Sequence, residues 1–173
     1  MGLGLQRGLH WGLRWGFGLA ALAAFLIMTL VVAPEVPGDL LRPQDAWPVF
    51  SDADLLALRS HLEASQLGPR YRAMLLVVDS IFLLLFAAWA WVCLWGRAPR
   101  SLALVLPLWA AVADLCENGA LVARLGLAGT GSFDPSLMVS DPSGQWVLAV
   151  VKMAGYLACL GAILWVALKE RLR

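Results

Sequence analysis

The chain has 173 residues, of which 61% are hydrophobic and only 14% charged, with a net charge of +1 and a mean hydropathy of +0.75. Soluble domains run at about 45–50% apolar and about 25% charged residues, so this composition predicts an integral membrane protein, and its length suits a single domain. The near-zero charge and the lack of any Lys/Arg-rich run exclude a phosphate-tracking nucleic-acid surface, and no Walker loop, dinucleotide fingerprint, haem motif or Ser/His/Asp set is present to give an enzyme class.

Four segments are apolar enough over about 20 residues to cross a bilayer core about 30 Å thick: 15–33, 72–95, 102–125 and 145–168. The expected fold is therefore all-α, a polytopic four-helix membrane bundle. Arg7 and Arg14 precede the first span, which stops at Pro34. Val32-Ala33-Pro34-Glu35 lacks a small-x-small cleavage site, so the segment reads as an uncleaved anchor. Gly8, Gly12, Gly16, Ala20 and Ala24 recur every four residues along it, a small-residue stripe suited to close helix packing and a route to homo- or hetero-oligomers.

In the loop that follows, Ser51-Asp52-Ala53-Asp54 offers a variant capping box, Leu55, Leu58 and Leu62 share one helical face, and Gly68-Pro69 closes the run. A short amphipathic helix over 52–67 is expected, lying on the outer surface or over the bundle mouth. Arg97 and Arg100 crowd the tight turn between spans two and three, and Lys169, Arg171 and Arg173 follow span four, whereas 126–144 contains no Lys or Arg. The positive-inside tendency then puts both termini in the cytoplasm of a bacterial inner-membrane protein, against the contrary presence of Arg42, Arg59, Arg70 and Arg72 in the first loop. Trp11, Trp15, Trp47, Trp91, Trp95 and Trp146 fall near span ends, as interface anchors do.

Charges inside the spans are the informative exceptions, because a charged group at membrane depth costs a few kcal/mol or more and normally faces a bundle interior. Asp79 lies in span two, Asp114 and Glu117 in span three, and Lys152 in span four, all roughly 10–12 Å from the same edge at about 1.5 Å per residue. Asp114, Glu117 and Asn118 share one helical face, and Arg124 lies two turns along it from Glu117. Lys152 shares its face with Gln145, Tyr156 and Cys159, while Arg72 stands seven residues from Asp79. Counting Arg72, Arg124 and Lys152 against Asp79, Asp114 and Glu117, the cluster can be neutral, or one carboxyl can hold a proton. Pro107 removes a helix hydrogen bond before Asp114, where a kink could widen a cavity.

Cys93, Cys116 and Cys159 sit in apolar spans without CxxC or Cys/His spacing and read as packing thiols with no disulfide; His10 and His61 are isolated. No metal or cofactor is expected.

Leu106-Pro107 through Asp114-Leu115-Cys116-Glu117-Asn118, preceded by Gly68, Tyr71, Asp79 and Phe82, resembles a family of small bacterial four-span membrane proteins with a D-x-x-E-N signature in the third span. The resemblance implies that Asp79, Asp114, Glu117 and Asn118 are the positions of interest. Lys152 is not part of that pattern, and Leu83-Leu84-Leu85 stands where a proline and an aromatic are expected. The family brings no activity with it. A looser likeness joins the chain to four-span sterol isomerase-like and sigma-receptor-like proteins, which place acidic residues in a membrane cavity, but shared architecture does not imply shared function.

Three functions fit these residues. The first is a cavity, open to the outer face, that binds a small amphipathic molecule or a membrane lipid through Asp79, Asp114, Glu117, Asn118 and Lys152, with Tyr156, Arg72 and Arg124 nearby; a proton transfer with Glu117 or Asp114 as base belongs to this reading. The second is a proton or ion pathway in a transporter subunit. The third is a scaffold or assembly factor in which the buried ion pairs only set packing register.

Overall fold

A computed structural model describes residues 2–32, 52–127 and 143–172, and all regular structure among them is helical. Helix α1 spans Gly2–Ile27 and continues into a π-helical turn, Met28–Val32. Helix α2 is Asp52–Ala64. The next long rod is composite: α3, Gly68–Ala73, a π-helical turn, Met74–Val78, and α4, Asp79–Leu94. Helix α5 is Arg100–Arg124 and α6 is Ser143–Arg171.

Four helical stretches are long and apolar enough to cross a membrane: Trp11–Leu30, Gly68–Leu94, Arg100–Arg124 and Val147–Arg171. The chain is thus an all-helical protein built for multiple membrane crossings. The second rod starts four residues earlier than the expected 72–95, because Pro69 occupies the first turn, where its missing N–H costs nothing. Gly68-Pro69 therefore opens a helix as well as following one. The expected end of the first span at Pro34 and the loop over 128–142 lie outside the described residues.

Chain ends are set locally. Gly126, at φ +68°, lets α5 close with Leu127 N–H donating to Val122 O and Gly126 N–H to Ala123 O. Helix α2 ends the same way, with Leu67 N–H donating to Leu62 O, although Gln66 takes the left-handed position at φ 57°.

α1 and α4 run antiparallel: Phe25 meets Phe82 at 5.9 Å between ring centroids, and seven residues back Gly18 meets Trp89 seven residues on. α5 and α6 form the most extensive contact, also antiparallel, and α4 lies against both α1 and α5. The backbones of α5 and α6 approach closely at Gly155, where an added Cβ would stand 2.9 Å from Ala110 Cα. α4 and α5 are the interior helices, whereas α1 and α6 keep long apolar faces exposed, including Leu22, Leu30, Leu157 and Leu164.

The small-residue stripe on α1 does not form one seam within the chain. Cβ atoms at Gly12 and Gly16 would meet nothing within 4 Å, while Ala24 is buried and Gly18, off the stripe, makes the close contact with Trp89. A four-residue period drifts by roughly 40° per step around a 3.6-residue helix, so its two ends cannot face one neighbour. The surroundings of Gly8 lie outside the described side chains. Cys93 and Cys159 are buried, but Cys116 is exposed on α5 rather than packed.

Two apolar layers define the interior. Leu55, Leu58 and Leu62 of α2 join Tyr71, Met74, Leu75, Leu121, Val122, Leu125 and Leu127 at one end, referred to below as the α2 end. Phe86, Ala90, Ala110 and Cys159 form the second, continued toward the α4–α5 turn by Leu94, Ala103 and Val166. The leucine face of α2 is therefore spent on the helical bundle itself, with Leu58 fully buried.

Candidate functional site

Between those two layers lie the intramembrane charges. Asp79, Asp114, Glu117 and Asn118 are each 5% exposed or less, which makes them core residues shielded from the molecular surface. α5 delivers Asp114, Glu117 and Asn118 on one face because residues three and four apart lie one above another. α6 brings Lys152 and Tyr156 to the same level by the same spacing, made reachable by the close approach of Gly155 to Ala110.

Lys152 forms an ion pair with Glu117 Oε2, and its Nζ lies 3.5 Å from Asp114 Oδ1. The other oxygen of Asp114 accepts a hydrogen bond from the Tyr156 hydroxyl at 2.6 Å. Tyr156 is held for this by the edge-to-face contact of its ring with Phe86, 4.7 Å between centroids, and by Phe82 at 6.3 Å. Asn118 Nδ2 donates to Asp79 Oδ2, which ties α5 to α4. Asp114 Oδ1 and Glu117 Oε2 face the ammonium but accept no well-formed hydrogen bond.

The π-helical turn has a local role here. Asp79 N–H bonds to Met74 O, five residues back, instead of to Leu75 O, its α-helical partner. Leu75 O accepts from Asn118 Nδ2 at 3.4 Å. A single amide thus addresses both the Asp79 carboxylate and a carbonyl that the wide turn leaves without its usual donor.

Six of the eight sequence-derived site residues take part in these contacts, in two adjacent sets: Asp114, Glu117, Lys152 and Tyr156 in one, Asp79 and Asn118 in the other. Arg72 is half-buried and Arg124 buried, and each has an interaction of its own, but the groups acting on Lys152 are Asp114, Glu117 and Asp79. The extra residue of the π turn explains Arg72: it rotates α3 by roughly 100° relative to α4, so the seven-residue spacing to Asp79 no longer marks a shared face. Arg124 shares the face of Glu117 but stands two turns, about 10 Å, closer to the α2 end.

Sequence reasoning missed the aromatic wall. Phe25, Phe82, Phe86 and Tyr156 are in ring contact from α1 across α4 to α6. The four-residue spacing of Phe82 and Phe86 was the available signal, but in an apolar span it does not stand out from ordinary core. Pro107 is buried within α5 and leaves the Ala103 carbonyl without its donor, one layer nearer the turn than the carboxylates. Among the described residues no three His, Cys, Asp or Glu side chains are arranged to hold a metal ion. No family model, curated protein or solved structure matches the chain.

Proposed function

We propose that this is a bacterial inner-membrane protein, with both termini in the cytoplasm and α2 on the outer side, whose carboxylate cluster binds the polar head of a small amphipathic molecule or lipid. One observation carries the reading. Two buried carboxyl groups face a single ammonium, one of them also accepting from a phenol, and a third buried carboxyl is held beside them by an amide, which is more polar chemistry than one structural ion pair requires. Groups of that kind in an apolar surround favour a guest able to supply a proton or a positive charge. Native mass spectrometry of the purified protein tests this: a retained amphipathic adduct that is lost in Asp114→Asn supports it, and a protein that emerges empty and takes up no lipid overturns it. Reporter fusions at residues 1 and 173 test the orientation, and a reporter active outside the cytoplasm refutes it.

A second reading, in which the network sets packing register, draws on the internal pairing of Lys152 with Glu117 and of Tyr156 with Asp114. It expects charge-neutral replacement of Lys152 and both partners together to preserve folding and cellular function. A proton or ion pathway has less support, because the layers between the cluster and the α4–α5 turn consist of Phe86, Ala90, Ala110 and Cys159, then Leu94, Ala103 and Val166.

A further inference from the structure

At the end of the molecule opposite α2, two guanidinium groups from distant parts of the sequence approach one another. Arg14 of α1 has Arg97, Cys93 and Glu170 as its electrostatic neighbours, so α1, the α4–α5 turn and the end of α6 meet here. Arg97 Nε lies 2.9 Å from Glu170 Oε1, and both side chains are partly exposed. Among the described residues Arg14 has no equivalent ion pair, and its Nε is buried and donates no hydrogen bond. Among the described residues two cations therefore share one carboxylate, which answers the repulsion between them only in part.

The surroundings indicate what completes the site. Trp11 and Trp15 stack edge to face at 5.9 Å, and Trp91 and Trp95 lie 5.2 Å apart, all four exposed around the same end of the bundle. Exposed tryptophans at the ends of apolar helices mark the headgroup level of a bilayer. Below them, Leu22 of α1 and Leu157 and Leu160 of α6 turn apolar surface outward, where acyl chains would lie. A planar guanidinium matches phosphate oxygens in a bidentate fork. The anion available at that depth beside hydrocarbon is a phospholipid phosphate rather than free phosphate, and the unmatched positive charge favours a lipid with net negative charge.

We propose that Arg14 and Arg97 hold the phosphate of an anionic phospholipid between α1 and the α4–α5 turn, with Glu170 competing for Arg97. The site is separate from the carboxylate cluster and stands or falls independently of it.

The test is lipid retention by the full-length protein, extracted from nanodiscs of equal phosphatidylglycerol and phosphatidylcholine content and read by native mass spectrometry. The wild type should retain phosphatidylglycerol preferentially. Arg14→Gln and Arg97→Gln should each lower that retention about tenfold, the equivalent of one charge-assisted contact, and Glu170→Gln should raise it by freeing Arg97. Equal retention of the two lipids, or retention unchanged in both arginine variants, overturns the proposal. Displacement of the lipid by millimolar inorganic phosphate assigns the site to free phosphate and overturns the lipid assignment. Should the arginine variants not fold, Glu170→Gln decides alone, and no rise in retention refutes the site.

Discussion

At Lys152 one ammonium faces the buried Glu117 and Asp114, so its removal leaves two buried carboxyl groups without the counter-charge it supplies. Breaking a buried pair from one side costs about 3–5 kcal/mol, far more than the net worth of the intact pair. Lys152→Met should therefore lower the unfolding midpoint of the detergent-solubilised protein sharply, and adding Glu117→Gln and Asp114→Asn to it should recover most of the loss. A single variant as stable as wild type would remove the ion pair from any account of this protein. Asn118 gives a smaller, separable effect: Asn118→Ala abandons both Asp79 and the Leu75 carbonyl, at a cost of about 1–3 kcal/mol. Hydrogen exchange should localise that change to the Leu75 to Asp79 backbone, and uniform loss of protection across α4 would contradict a local role.

The helices show which features could be read from the sequence and which could not. Asp114, Glu117 and Asn118 were legible as one face because a charge in an apolar span has few places to go, and three- and four-residue spacing fixes direction on a regular helix. Lys152 and Tyr156 followed by the same rule. Arg72 failed it because Met74-Leu75-Leu76-Val77-Val78 forms a π turn, and those five apolar side chains carry no glycine or proline to announce one. The α1 stripe packs only in part within the chain for a related reason, since its period is close to, but not equal to, the helical one. Gly155 was equally silent: among several glycines in apolar spans, only the backbone contact with Ala110 sets it apart. Gly155→Ala should cost about 1–3 kcal/mol by forcing α5 and α6 apart, whereas Gly161→Ala, which meets nothing within 4 Å, should be neutral or slightly stabilising. Thermal unfolding of the two variants side by side checks this, and equal midpoints would deny that the α5–α6 contact is tight at Ala110.

Taken as a whole, the molecule holds its polar layer between an aromatic and aliphatic floor and a leucine-rich layer to which α2 contributes. Leu58 is fully buried there, so Leu58→Ala should cost about 2–5 kcal/mol. Because the described contacts of α2 with the rest are apolar and its link to α3 is a short turn, that loss should appear first as undocking of α2. Limited proteolysis at Arg59 should accelerate while the long helices remain intact; cleavage spread evenly over the chain would show that α2 is not a separable cover. Asp79, Asp114, Glu117, Asn118 and Lys152 stood out in the sequence as polar groups within apolar spans, whereas the aromatic wall did not.

The uneven apolarity of the helices bears on how the protein is made. The helix carrying Asp114, Glu117 and Asn118 has the lowest hydropathy of the four, 1.3 against 2.3 for its predecessor, and also the largest buried share. Left to partition alone out of the translocon, it would enter lipid reluctantly with its acids unmatched, and the ammonium that matches them is synthesised about 35 residues later, on the next helix. Biogenesis should therefore hold the third crossing beside the second, tied to it by the Asn118–Asp79 hydrogen bond, until the fourth arrives to complete it.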